Sequence, residues 1–181
     1  MKLGATFSGD RKYRYRLSRI WNDNVRPLMW LLLNPSTADE SRDDPTIRRC
    51  IGYAMNWGYG GVIIHNLFAY RSIYPEELIS VWCQDPVGSD NDRAIDADAR
   101  VYQIVCGWGN KVVTLKLDAR LDQMRRLLRG ADLYHLKLTA MQQPQHPLYL
   151  HSRLTMQPFA FPPAATDAAT TGGGASLSLK S

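Results

Sequence analysis

Apolar runs of strand length alternate along this chain with stretches whose apolar residues recur at helical spacing. Leu28-Met29-Trp30-Leu31-Leu32-Leu33, Val62-Ile63-Ile64, Val101 to Gly107 and residues 132–138 are each apolar on nearly successive positions. That pattern predicts strands buried on both faces. Between the first two, Asp44-Pro45-Thr46 reads as a helix start, with a capping Asp and Pro at the first helical position. The helix it opens runs over about 45–57, with Ile47, Ile51, Ala54 and Met55 as its apolar stripe and Gly58-Tyr59-Gly60-Gly61 as its stop. Further helices are predicted from Tyr74-Pro75, over Asn91–Arg100, and over Leu117–Leu128 with the arginines outside. Tyr13 to Leu17 alternates aromatic and basic residues as a half-exposed edge strand would, and Trp21-Asn22-Asp23-Asn24 turns it toward the first buried run. Strand and helix thus alternate, which predicts an α/β fold, a three-layer α/β/α sandwich around a mostly parallel sheet of about four strands.

Composition narrows the class. The chain has 181 residues, 45% of them hydrophobic and 22% charged, as expected of one globular domain over residues 1–157. From Pro158 the chain turns Pro/Ala/Thr/Gly-rich, and residues 158–181 are expected to form a disordered tail. The formal charge of +5 leans only mildly toward polyanionic partners. Cys50, Cys83 and Cys106 are far apart and form no C-x-x-C pair, which argues against an iron–sulfur cluster or a structural zinc and fits reduced thiols in a cytoplasmic protein. No stretch is long and apolar enough to span a bilayer.

The chemistry concentrates where strands end. The first buried run leads into Asn34-Pro35-Ser36-Thr37-Ala38-Asp39-Glu40, the second ends at Asn66, the third ends Val105-Cys106-Gly107-Trp108-Gly109, and the fourth leads to His146-Pro147-Leu148-Tyr149-Leu150. In an open parallel sheet these ends share one crevice. In this order the four motifs, over about Leu28–Leu150, resemble those of the uracil-DNA glycosylase superfamily. Asn34-Pro35 is closest to its mismatch-specific branch, where Asn-Pro replaces a catalytic Asp. The resemblance implies base flipping and hydrolysis of the N-glycosidic bond of a damaged or modified pyrimidine in DNA. Its Asn-type first motif suits bulky modified bases and hence a role in defence against phage DNA. Carried over motif by motif, it makes Asn34 and His146 catalytic and places Pro35, Ser36, Asn66 and Phe68 against the substrate. Arg71, Leu148 and Tyr149 would contact DNA, with Leu148 or Tyr149 as the apolar wedge. No cofactor or metal is implied, and the expected partner is DNA, met by a monomer.

The residue types suit that chemistry. A neutral imidazole donates to the base oxygen on which negative charge develops. An amide carbonyl holds a water against the sugar carbon, and a second amide matches a pyrimidine edge with one donor and one acceptor. The chain departs from the superfamily in having no Asp in the first motif and Leu148 where small polar residues follow His-Pro. Plainer roles stand beside these. Asn34-Pro35 reads equally as a turn, and Asn66 as a partner of nearby backbone. His65 should face the opposite side of its strand and pack structurally. Asp39, Glu40, Asp43 and Asp44 read as a metal cluster or, more simply, as helix caps paired with Arg48, Arg49 or Arg71. Tyr13, Tyr15 and Trp21 read as base-stacking or as edge-strand residues. Two other function classes stay open: a hydrolase of small nucleosides or nucleotides, and a catalytically inactive nucleic-acid-binding module.

Overall fold

The computed structural model describes residues 1–80 and 83–162. The strands are β1 (Lys2–Phe7), β2 (Arg14–Ile20), β3 (Leu28–Leu32), β4 (Gly61–Asn66), β5 (Ile104–Cys106), β6 (Leu133–His135) and β7 (Gln157–Pro158). They form one sheet in the order β1-β2-β4-β3-β5-β6-β7. The four inner strands β4, β3, β5 and β6 pair in parallel. β1 and β2 at one side, and β7 at the other, are added antiparallel. The expectation of about four mostly parallel strands therefore undercounts the sheet, which has seven strands and as many antiparallel as parallel pairings. The extra strands were hidden because β1 and β7 are largely exposed and carry no apolar run. β2 lies between two neighbours and is not an edge.

The inner strands owe their place to apolar side chains on both faces, each worth about 1.5–3 kcal/mol when fully buried. On one face Leu28, Trp30, Leu32, Val62, Ile64 and Val105 pack against Ile47, Cys50, Tyr53 and Ala54 of helix α1 (Pro45–Asn56). Trp30 and Tyr53 lie 5.9 Å apart, centroid to centroid, and Tyr53 and Trp57 5.2 Å. Met55, expected in the stripe, is exposed, and the aromatic Tyr53 does its work. On the other face Met29, Leu31, Ile104 and Cys106 pack against Ile95, Val112, Met124 and Leu128. These come from or adjoin helices α2 (Asn91–Ala99), α3 (Lys111–Thr114) and α4 (Ala119–Leu127). The segment after Tyr74-Pro75 is a 3₁₀ helix, Pro75–Ile79. Val101, assigned to the third strand, is exposed ahead of it.

The first residues assigned to the tail pack on the domain instead. β7 pairs with β6, and beyond it Phe159 and Phe161 close on Trp108 at ring distances of 5.6 Å each. Two aromatic side chains outweigh the proline-rich composition around them. The remainder of the expected tail lies outside the described residues. Among the described residues no helix is long and apolar enough to cross a membrane.

Truncating either ring removes packing against Trp108. Phe159→Ala and Phe161→Ala should each cost a substantial part of the ~3–5 kcal/mol typical of buried Phe→Ala changes, read as a lowered urea midpoint. Midpoints equal to the wild type would show that these rings do not belong to the core.

Candidate functional site

The sheet's register sets which strand-end residues face together. Leu32 is paired with Asn66 and Leu31 with His65, so Asn66 shares the α1 face with Leu32 while His65 lies on the α2 face. There His65 is fully buried and its Nε2 meets an Asp98 carboxylate oxygen at 2.7 Å, a structural contact as the strand alternation implied.

Each cleft group is held by backbone bonds beyond a strand end. Asn34 follows β3, and its Nδ2 donates to the carbonyl oxygen of Ser72 at 2.8 Å and to that of Pro35 at 3.2 Å. The Ser72 N–H donates back to the Pro35 carbonyl at 2.9 Å, tying the loops after β3 and β4. With both amide hydrogens so directed, Asn34 Oδ1 has no partner among the described residues. The carboxyl end of β4 is fixed from the other side: Asn91 Nδ2 donates to the carbonyls of Asn66 and Leu67, and Arg120 Nε to that of Leu67 at 2.7 Å.

His146 reaches the same place by a longer route. After β6 the chain turns back at a Leu138–Pro144 bridge, and Trp108 Nε1 donates to Gln143 Oε1 at 2.9 Å. Gly107, just past β5, leaves little room for a side chain. A Cβ there would lie 3.0 Å from Pro147 Cδ and 3.2 Å from Leu32 Cδ2, so the His-Pro segment seats itself where a side chain would stand. His146 then caps the 3₁₀ turn Pro147–Tyr149, its Nδ1 accepting from the Leu148 N–H at 3.4 Å. That bond leaves Nε2 as the proton-bearing nitrogen of the neutral ring. Burial lowers the pKa to about 4, so the ring is a neutral donor at physiological pH.

Asn34, Asn66 and His146 line one cleft of about 530 Å³, together with Ser36, Asp44 and Arg14. Arg14 was not foreseen: it is 2% exposed, although the alternation of Tyr13 to Leu17 put it on the outer face. Its Nη1 donates to the Ala38 carbonyl at 3.0 Å and its Nη2 to Asn66 Oδ1 at 3.2 Å. Desolvation lowers its pKa to about 10, which still leaves it charged. A guanidinium only donates, so the amide atom facing Arg14 is the oxygen, and the orientation of Asn66 is set. Its Nδ2 is buried with no hydrogen-bond partner. A buried unpaired donor costs on the order of 1–3 kcal/mol.

Other expected site residues lie elsewhere. Phe68 is buried with Met29, Leu31 and Leu78 on the α2 face and does not line the cleft, because it is one of the apolar residues that continue the core past β4. Pro35 is buried and contributes its carbonyl to the loop. Arg71 does not line the cleft either. It sits in an adjoining groove with Arg11 and Lys12, which shares Ser36, Ser72 and Ile73 with the cleft. Leu148 and Tyr149 line the cleft mouth and are exposed, Tyr149 by 76%.

The acidic run is dispersed rather than clustered. Asp43 pairs with buried Arg19 at 2.8 Å and Glu40 with Arg11 at 2.7 Å, not with Arg48, Arg49 or Arg71. Asp39, its pKa lowered to about 2 by N–H donors from Ser41 and Arg42, closes a turn, and Asp44 caps α1. Among the described residues no group of three or more metal-ligating side chains comes together. Tyr15 is buried and Tyr13 donates its hydroxyl to the Asp85 carbonyl, so neither is free to stack on a base. Trp21 Nε1 donates to the Tyr59 carbonyl.

A family model described as "Protein of unknown function (DUF1643)" matches residues 14–148, a span that opens at the buried Arg14 and closes just beyond His146. No curated protein and no solved structure matches the chain.

The neutral state of His146 has a measurable consequence. Between about pH 6.5, its ordinary value, and about pH 4, the unfolded chain binds a proton that the folded chain refuses. Stability from this group is therefore complete above pH 6.5 and declines as the pH falls toward 4. His146→Gln should remove that part of the acid sensitivity, so the melting-temperature gap between variant and wild type narrows or reverses below pH 6. A gap independent of pH would show that His146 is not held neutral by the fold.

Proposed function

The chain belongs to the DUF1643 family, and we propose that it is a DNA glycosylase acting on a damaged or modified pyrimidine, in the manner of the uracil-DNA glycosylase superfamily. The observation that carries the reading is the buried, unpaired Nδ2 of Asn66 in a cleft shared with a neutral histidine and an amide whose oxygen is unengaged. A pyrimidine offers what these groups lack. Asn66 Nδ2 donates to a ring carbonyl or ring nitrogen, while the second lone pair of Oδ1 accepts from the neighbouring N–H. His146 Nε2 donates to the base O2 as the bond to the sugar breaks. Asn34 Oδ1 accepts from a water and holds it toward C1′, where position supplies much of the rate.

The surroundings support a polymer substrate. A flipped nucleotide leaves a gap in the duplex, and Leu148 and Tyr149 stand exposed at the mouth to fill it. The groove that adjoins the cleft holds Arg71, with Arg11 paired to Glu40 and Lys12 to Asp10, and Arg71 offers a donor suited to phosphates. Four inner parallel strands between helical layers, with Asn34 beyond β3, Asn66 ending β4 and His146 beyond β6, support this reading. The combination of a base-edge reader, a neutral donor and a water holder favours glycosidic hydrolysis over simple binding.

Single-turnover cleavage, with duplexes each carrying one modified uracil or cytosine, tests the assignment. On a duplex that the wild type converts to an abasic product, His146→Ala should slow the step by ~10²–10³, the usual loss for one preorganised donor, and Asn34→Ala should slow it as well. Binding to unmodified duplex should be unchanged in both. Arg71→Ala should weaken that binding and lower the salt slope by about 1. Abasic product at the wild-type rate from both cleft variants would remove this cleft from the reaction. Cleavage of free nucleosides with no salt-sensitive duplex binding would instead assign the cleft to small substrates.

A further inference from the structure

Asp44 has two positions at once. In sequence it is the residue before Pro45, and as N-cap of α1 its Oδ1 accepts the Ile47 N–H at 2.9 Å. In space it lines the cleft, and among the described residues no other Asp or Glu does so. A carboxylate has about four lone-pair sites, and the cap uses one of them. No lysine or arginine forms an ion pair with Asp44 among the described residues, unlike Asp43 and Glu40 beside it. It nevertheless acts electrostatically on both Arg14 and His146. Asn66 and Arg14 line the same cleft, and each keeps one buried donor, Asn66 Nδ2 and Arg14 Nε, without a hydrogen-bond partner.

We propose that Asp44 is the catalytic carboxylate of this cleft, stabilising the sugar cation and taking the proton of the attacking water. The inference rests on the glycosidase reading and supplies what Asn34 cannot, since an amide does not accept a proton at neutral pH. The C1′–N bond breaks with its electron pair leaving on the base, whose anion is met by the His146 donor. Positive charge on the sugar faces the Asp44 carboxylate. The water held by Asn34 adds its oxygen to C1′, and the proton it loses passes to Asp44 and then to solvent. The base anion takes a proton from solvent, so one water is consumed, and a free base and an abasic sugar are formed.

The cap and the catalytic function separate cleanly. Asn and Ser cap helices about as well as Asp, so Asp44→Asn and Asp44→Ser keep α1 while removing the charge. The probes are two duplexes, one carrying a protonated pyrrolidine in place of a single deoxyribose and one carrying a neutral tetrahydrofuran abasic analogue, so that no knowledge of the base is needed. Wild-type protein should bind the cationic duplex roughly tenfold or more tightly than the neutral one, as a charge pair at a partly screened site implies. Both variants should bind the neutral duplex as the wild type does and lose the preference, with unchanged melting temperatures. Wild-type protein that binds both duplexes equally, or variants that keep the preference, would overturn the role of Asp44 and leave the glycosylase reading standing. Failure of the wild type to bind either duplex would overturn both.

Discussion

The buried guanidinium of Arg14 is the contact on which the rest of the site depends. It enters at the start of β2 and joins the loop after β3, through the Ala38 carbonyl, to the last residue of β4, through Asn66 Oδ1. A charge so deeply buried needs oxygens to receive its hydrogens, and with Arg14 Nε unpaired the two oxygens that receive Nη1 and Nη2 are as constrained as the arginine. The orientation of the Asn66 amide follows from this, and it leaves Nδ2, on a residue that lines the cleft, without a partner. Arg19 does the same for the next part of the loop, with Asp43 at 2.8 Å and the Asp39 carbonyl at 2.6 Å. Two arginines on one antiparallel strand thus shape a loop that composition alone would leave loose.

From that constraint the site is assembled by topology. Parallel pairing of β3, β4, β5 and β6 brings their carboxyl ends to one edge of the sheet, and the βα connection after β3 sets the N-terminus of α1, with Asp44, at the same edge. Gly107 lets the His146-Pro147 segment approach β5 closely. The residue therefore serves the site by having no side chain, and the positive φ of 73° at Gly109 carries the chain through the turn that follows.

The inner strands and α1 were legible because their apolar runs and the Asp44-Pro45 start are strong local signals. The strand-end positions of Asn34, Asn66 and His146 followed from them. The buried arginines were not legible, since an alternating Tyr-Arg segment reads as a half-exposed face and nothing local says that Arg14 finds acceptors 24 and 52 residues away. Arg120, read among the outward arginines of its helix, is likewise buried on the Leu67 carbonyl. Phe68 does not line the cleft because β4 ends at Asn66, so the alternation that would give Phe68 the face of Asn66 stops before it, and the ring packs with Met29, Leu31 and Leu78. The place of Asp44 in the cleft was within reach, as the N-cap of a helix that follows a parallel strand stands at the ligand edge. Its role as a cap masked that.

The claim at the centre of this account is that the Asn66 amide, oriented by Arg14, is the group that receives a pyrimidine. Side-chain ¹⁵N–¹H resonances report it directly when labelled protein is titrated with free uracil, thymine, cytosine and adenine. A pyrimidine is expected to shift the Asn66 amide protons downfield, to leave exposed Asn24 unshifted, and to give no response in Arg14→Met. A pyrimidine that binds while leaving the Asn66 amide unmoved, or a shift that persists without Arg14, would contradict it.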